Sequence, residues 1–194
     1  MTSSDYAGDL AELYTVIANG YVGPLKEAIS NGFDATRDLL HGGSVIESAI
    51  RHSEETLTRV FEIIGTVDIA GVAGSTPLLQ SVAANEYRDA RLLLSLGASV
   101  ERTNIAGDNV FHLAADVHVE QEIAELLTPH ATLRSLLTHC VGMQTPITRA
   151  IEDESYGRCS LFCKRYVELG GSLDVKVGCP PTPMRRIVEK VIES

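Results

Sequence analysis

The feature that most constrains the fold is a short motif that recurs along the chain. The best-preserved copy is GSTPLLQSVA, residues 74–83, and weaker copies begin at Gly42, Gly107, Met143 and Pro180. Each copy has a polar residue at its third position, which we call the marker. The markers are Ser44, Thr76, Asn109, Thr145 and Thr182. Successive markers are 32, 33, 36 and 37 residues apart, a period that indicates stacked supersecondary units.

A second pattern, independent of the first, has the same period. Apolar runs closed by glycine end at Gly65, Gly97 and Gly170, and His130 stands where a further glycine is expected. The distance from the marker to this position is 21 residues in the first three copies and 25 in the fourth. Residues 9–35 contain the same kind of closing glycine, Gly32, and therefore predict a first helix pair, which lacks the marker motif.

The T-P-L opening, the closing glycine and the period near 33 resemble the ankyrin repeat. The resemblance implies an all-α fold, an ankyrin-repeat solenoid of stacked helix-turn-helix units with short hairpin-like loops. It implies a single domain over residues 1–194, with an N-terminal capping repeat at 9–35 and a C-terminal half-repeat cap at 178–194. Full repeats are predicted at 40–71, 72–104, 105–140 and 141–177, the last with an insertion.

Local chemistry explains the motif. A threonine hydroxyl before proline can cap a helix N-terminus, and proline is pre-set for the first helical position. Two places depart from the period: about three extra residues near 133–140, and about four near 152–160. Insertions in repeat arrays map to loops, often on the binding face, so we expect loops at both places.

Composition narrows the classes of function. The net charge of −10 argues against direct binding of nucleic acid or anionic membranes, which require basic surfaces. The first residues are acidic, and no apolar run is long enough to span a bilayer. We therefore expect a soluble protein in the cytoplasm, the nucleus or both. If the source is viral or an effector, these compartments are those of the host cell. In that compartment the four cysteines are expected to be reduced thiols.

Enzyme signatures are missing from the sequence. It has no glycine-rich phosphate loop, GxSxG elbow, HExxH motif or CxxC pair, which predicts a non-enzymatic protein without a cofactor. A zinc ion could in principle be bound by side chains from the last third of the chain, namely Cys159, Cys163, Cys179, Cys140 and His139. The favoured interpretation is that these cysteines are small buried hydrophobes.

Two histidines have different expected roles. The resemblance implies that His112, in the position of the T-P-L-H histidine, hydrogen-bonds the backbone and holds adjacent hairpins together. Asp116 and His118 are two residues apart and would not face each other on a helix, so we do not expect an acid–base pair.

The resemblance also implies a binding surface made of hairpin tips and the concave face of the inner helices, the first helix of each pair. The implied tip residues are Leu40, His41, Val72, Ala73, Ser75, Ile105, Asp108, Val141 and Gln144. The implied inner-helix residues are Arg51, His52, Asp116, Val117, Glu152 and Asp153.

These patterns predict a non-enzymatic interaction module or adaptor that acts as a monomer or weak homodimer. Its partner is expected to be another protein with a basic surface patch, because the body of the chain is acidic. One alternative is an NF-kappa-B-inhibitor-like protein, such as a viral mimic or pathogen effector, that sequesters a transcription factor. Another, from a different class, is a zinc- or thiol-dependent activity in residues 130–180.

Overall fold

The structure is a computed structural model that describes residues 7–36 and 43–172. These residues are all-helical, as the sequence predicts, and contain no β-strand. The α-helices are α1 (Ala7–Ala18), α2 (Gly23–Ser30), α3 (Val45–His52), α4 (Glu54–Ile64), α5 (Pro77–Ala83), α6 (Tyr87–Ser95), α7 (Val110–Ala115), α8 (Gln121–Leu127), α9 (Leu133–Leu137), α10 (Pro146–Glu152) and α11 (Tyr156–Glu168). The predicted trailing cap at 178–194 lies outside the described residues. Within the described residues, no helix has the length and apolar character needed to cross a membrane.

The marker residues stand immediately before four helices. α3, α5, α7 and α10 each begin at the residue that follows a marker. The side chains of Ser44, Asn109 and Thr145 accept backbone N–H groups of the first helical turn. A helix leaves its first amides without intrahelical partners, so a polar residue at this position stabilises the start of the helix.

The outer helices, the second helix of each pair, end at the closing glycines that the sequence indicates. Gly65, Gly97 and Gly170 have φ values of 81°, 85° and 86°, in the left-handed region that glycine adopts without steric cost. Where His130 stands in place of the glycine, α8 continues into a 3₁₀ turn at Thr128–His130, and the chain leaves this turn through extended Ala131. His130 can replace glycine because this exit does not require a positive φ.

The loops before α5, α7 and α10 have one geometry despite different sequences. In each loop, the backbone amide of the residue five positions before the marker donates to the carbonyl of the residue immediately before the marker. The pairs are Gly71 to Ser75 at 2.8 Å, Asn104 to Asp108 at 3.0 Å and Cys140 to Gln144 at 3.0 Å. The residue two before the marker has a positive φ in all three: 69° at Gly74, 78° at Gly107 and 59° at Met143. Each loop is therefore a tight hairpin that projects the same position at its tip.

The chain forms two compact units. The first comprises Met1–Pro77 and Leu92–Ala98, and the second comprises Leu78–Arg91 and Ser99–Ser194. In the first unit α1 packs on α3 and α2 packs on α4, so that successive helix pairs form two layers. Ile17, Leu25, Ile46 and Leu57 fill the space between these helices and are fully buried.

The second unit repeats this packing. α7 packs on α10, and α8 packs on α11. The rings of Phe111 and Phe162 meet edge to face, with centroids 5.6 Å apart, and Ile123 and Leu127 are buried in the same unit. Aromatic side chains bury the largest apolar areas, so this pair anchors the inner helix α7 to the outer helix α11.

The extra residues, predicted as loops, are helical. α6 and α11 both begin 11 residues after their markers, but α6 has 9 residues and α11 has 13. Four residues add about one helical turn, which keeps the apolar face of α11 in register. The other extra residues form the one-turn helix α9, closed by a capping box between Thr132 and Ser135. The prediction of loops was wrong because a whole turn can be inserted into a helical array without exposing a buried face.

Candidate partner-binding surface

The hairpin tips expose large aliphatic side chains at one repeated position. Val72, Ile105 and Val141, each four residues before a marker, are 67%, 77% and 77% exposed. In the second unit, the Val141 amide donates to the Ala106 carbonyl at 2.7 Å, so the tips that carry Ile105 and Val141 are adjacent. Met143, also exposed, adds to this apolar edge. Leu40 and His41, the predicted tip residues of the preceding copy, lie outside the described residues.

Other predicted tip residues differ in exposure. Ala73 is exposed, and Ser75 is half-buried at the base of its loop. Asp108 turns inward: its side chain is 14% exposed and lies 3.0 Å from Arg149 Nη2. Gln144 is half-buried, and its Nε2 donates to the exposed Glu152. The residue before a marker supplies the carbonyl that closes the hairpin, so it stands at the base of the loop. The placement of Ser75, Asp108 and Gln144 at the tips was therefore wrong.

The predicted inner-helix residues lie at the ends of α3, α7 and α10. Arg51, Val117, Glu152 and Asp153 are exposed there, and Asp116 is half-buried. His52 is exposed, but its ring also lies against Gly20, where an added Cβ would be 2.6 Å from the imidazole Cε1. Its Nδ1 is 2.8 Å from the Thr56 hydroxyl. His52 therefore contributes to the packing of the first unit as well as to its surface.

Asp116 and His118 form a pair, against expectation. Asp116 Oδ1 lies 2.8 Å from His118 Nδ1 and accepts the His118 backbone N–H at 2.9 Å. These hydrogen bonds hold the pKa of Asp116 below its usual value. The expectation that the two side chains do not face each other was wrong because α7 ends at Ala115, and in the turn that follows, residues two apart can face each other. Both side chains are at least half exposed, so the pair contributes little to stability.

His112 joins two neighbouring hairpins. Its side chain is fully buried, and Nε2 lies 3.1 Å from the Gln144 carbonyl, which can only accept. Nδ1 accepts the Asn109 N–H at 3.2 Å, which completes the bonding of a neutral ring. Burial lowers the pKa of His112 and favours that neutral form. This geometry matches the role that the resemblance implied for His112.

Arg149 is a contributor that the sequence analysis missed. Its guanidinium lies 3.0 Å from Asp108 Oδ1, 3.4 Å from the His112 carbonyl and 3.3 Å from Gln144 Oε1. Together, Asp108, His112, Cys140, Gln144 and Arg149 form what we call the hairpin cluster. The sequence carried one signal. Arg149 lies four residues after its marker, and the residues at that position after the other described markers are uncharged, namely Ser48, Gln80 and Leu113.

The cysteines separate into two places. Cys159 and Cys163, one turn apart on α11, are buried with their sulfurs 3.9 Å apart. The hydrogen bond between them lowers the pKa of Cys159 and, with burial, raises that of Cys163. Cys140 belongs to the hairpin cluster, and His139 is exposed.

The zinc set drawn from the sequence is not assembled in the described part of the chain. Cys159 and Cys163 join no group of three candidate ligands there, and Cys179 lies outside it. A thiol-dependent activity requires an accessible thiolate, whereas both of these sulfurs are enclosed by the core. Their burial fits the interpretation of Cys159 and Cys163 as small buried hydrophobes.

We expect the stability of the protein to fall as the pH drops below about 6.5, the ordinary pKa of histidine. Unfolded His112 takes up a proton in that range, whereas the buried ring has a lowered pKa and stays neutral. The other charged groups that act on His112 oppose each other, since Asp108 favours its protonation and Arg149 disfavours it. Urea unfolding at about pH 5 and about pH 8 measures the difference in the free energy of unfolding.

His112→Gln should reduce this pH dependence, and His118→Gln, at an exposed ring, serves as the matched control. The same pH dependence in the wild type and in His112→Gln would contradict the assignment.

No protein-family model matches the sequence, and no curated protein is significantly similar to it. The assignment of a surface to this chain therefore depends on the geometry of the tips and of the hairpin cluster.

Proposed function

We propose that this chain is an ankyrin-type repeat protein that binds a partner protein through its hairpin tips and the ends of its inner helices, without catalysing a reaction. Two features support the repeat assignment. Three loops share the same closing hydrogen bonds, and in each unit inner helices pack on inner helices and outer helices on outer ones. Each helix pair buries its apolar face only by stacking on a neighbour, which is the principle of a solenoid.

The observation that carries the proposal is the exposure of Val72, Ile105 and Val141 at one position of the repeat. Covering a large aliphatic side chain stabilises a complex by about 1.5–3 kcal/mol. Contiguous exposed apolar surface marks an interaction site, and the tips that carry Ile105 and Val141 are adjacent. The loops are rigid because backbone hydrogen bonds close each of them and join the hairpins of Ile105 and Val141.

The partner should combine apolar side chains with a basic rim. Glu152 and Asp153 are exposed at the end of α10, and the chain as a whole carries a net charge of −10. Charge of this sign attracts basic partners and speeds their association, while the apolar tips contribute most of the affinity.

The test uses ligands selected from a random-peptide display library against the full chain. The double variant Ile105→Asp with Val141→Asp places charges at adjacent tips. Dissociation constants measured by calorimetry should rise at least about 30-fold, the equivalent of losing one 2 kcal/mol hot spot. Val72→Asp is measured separately, because Val72 belongs to the first unit.

Val167→Asp is the control, since Val167 is an exposed aliphatic residue on the outer helix α11. It should leave the dissociation constant unchanged. Equal loss of affinity in Val167→Asp and in the double variant, or no loss in either, would refute the placement of the surface. Failure to select any binding peptide would count against the proposal as a whole.

A further inference from the structure

Three side chains of metal-binding type meet in the hairpin cluster. Asp108 comes from the loop before α7, His112 from α7 itself, and Cys140 from the start of the next loop. A carboxylate oxygen, a ring nitrogen and the sulfur lie within 4.8 Å of one another. The two residues also share a backbone partner: Gln144 O accepts from His112 Nε2 at 3.1 Å and from the Cys140 backbone amide at 3.0 Å.

The ring N–H of His112 has an acceptor in either neutral tautomer, Gln144 O for Nε2 and Asn109 Oδ1 for Nδ1. Nδ1 accepts the Asn109 amide when Nε2 is protonated, but Nδ1 also lies 2.8 Å from Asn109 Oδ1. A proton moved to Nδ1 would be donated to that oxygen, and Nδ1 would no longer accept the Asn109 amide. Nε2 would stop donating to the Gln144 carbonyl and would offer its lone pair to a metal ion. Metal-ligating histidines characteristically donate their other ring N–H to an oxygen in this way.

Asp108 presents an oxygen without a hydrogen bond. Among the described residues, Oδ1 of Asp108 is buried and accepts no hydrogen bond. Its counter-charge is Arg149 Nη2, 3.0 Å away, and the same nitrogen lies 3.6 Å from Cys140 Sγ. The guanidinium therefore lies against both the carboxylate and the thiol, where a cation would be bound.

We propose that Asp108, His112 and Cys140 form a zinc site whose cation position is held by Arg149 in the metal-free protein. One nitrogen, one sulfur and one oxygen ligand suit Zn²⁺, which accepts all three and often leaves a fourth position to water. Calcium and magnesium prefer sites made of oxygen alone.

The exchange of cations balances in charge. In the metal-free cluster the Asp108 carboxylate is offset by the Arg149 guanidinium, and Cys140 is a neutral thiol. When Zn²⁺ binds, Cys140 loses its proton to solvent, His112 moves its proton from Nε2 to Nδ1, and Arg149 turns outward. The ion with one carboxylate and one thiolate is again neutral, so the buried cluster gains no net charge.

The test is a zinc titration of the full chain against a chromophoric chelator, with Co²⁺ as a spectroscopic substitute. We expect one ion per chain and a thiolate-to-cobalt charge-transfer band. Cys140→Ser should remove that band, and both Cys140→Ser and Asp108→Asn should weaken binding by more than about 100-fold, since even outer-shell changes cost 10- to 100-fold. Cys159→Ser, at a buried cysteine outside the cluster, should retain full binding.

Arg149→Met distinguishes this site from incidental binding at the surface. Removing the resident cation should tighten zinc binding by at least about tenfold, whereas Arg165→Met, at another ion-paired arginine, should not change it. Circular dichroism confirms that each variant remains helical. Absence of stoichiometric zinc in the wild type, loss of binding in Cys159→Ser, or unchanged binding in Arg149→Met would each overturn the proposal.

Discussion

Phe162→Ala is expected to lower the free energy of unfolding by about 3–5 kcal/mol, the range measured for deletion of a buried phenyl ring. Phe162 is fully buried in α11 and meets Phe111 of α7 edge to face. Removing the ring creates a cavity and also ends the aromatic contact between an inner and an outer helix. A single domain is stabilised by only about 5–15 kcal/mol, so this variant should lose a large part of its stability.

Urea unfolding followed by circular dichroism measures the loss, and Tyr156→Ala on the same helix is the control. Tyr156 is exposed, so its truncation should change the free energy of unfolding by no more than about 0.5 kcal/mol. A loss below about 1 kcal/mol in Phe162→Ala would show that α11 does not pack on α7 in solution. If Phe162→Ala is too unstable to purify, Phe162→Leu provides the same comparison with a smaller loss.

His112→Ala is expected to destabilise the protein by about 2–4 kcal/mol, because it combines a cavity with a lost hydrogen-bond acceptor. The buried Asn109 N–H donates to His112 Nδ1, and no water can easily replace that acceptor at a fully buried position. Gln144 loses one of the two donors to its carbonyl and keeps the Cys140 amide. The cost therefore comes mainly from the capping residue Asn109 and from the cavity.

The matched variant is His118→Ala, which truncates a ring that is mostly exposed. Its thermal and urea unfolding should be within about 0.5 kcal/mol of the wild type. If the two histidine variants lost the same free energy, His112 would not be the residue that joins the hairpins. Hydrogen exchange adds a local readout, because the amides of the Cys140–Gln144 loop should lose protection in His112→Ala.

Short-range chemistry made much of the architecture predictable. The markers Ser44, Asn109 and Thr145 cap helices because each has a side-chain acceptor beside free amides, which requires no distant residue. Gly65 and Gly97 end helices because their backbones adopt positive φ at low cost. Ile105 and Val141, which the resemblance implied as tip residues, are exposed in the structure.

The hairpin cluster could not be predicted in this way. Arg149 contacts the carbonyl of His112, 37 residues away, and the ring of His112 contacts Gln144, 32 residues away. These distances are one period of the repeat, so the contacts form only when one helix pair has stacked on the next. The inward turn of Asp108 has the same cause, because its counter-charge Arg149 belongs to the following repeat.

The sequence by itself determined where the helices after the markers begin and where Gly65 and Gly97 end their helices, because those features depend on neighbours within a few residues. Only the tertiary structure decided that the extra residues extend α11 and form α9. It alone brought Asp108, His112, Cys140 and Arg149 together. Stacking determines both outcomes, since buried faces must stay in register and buried polar groups must find partners across the boundary between repeats.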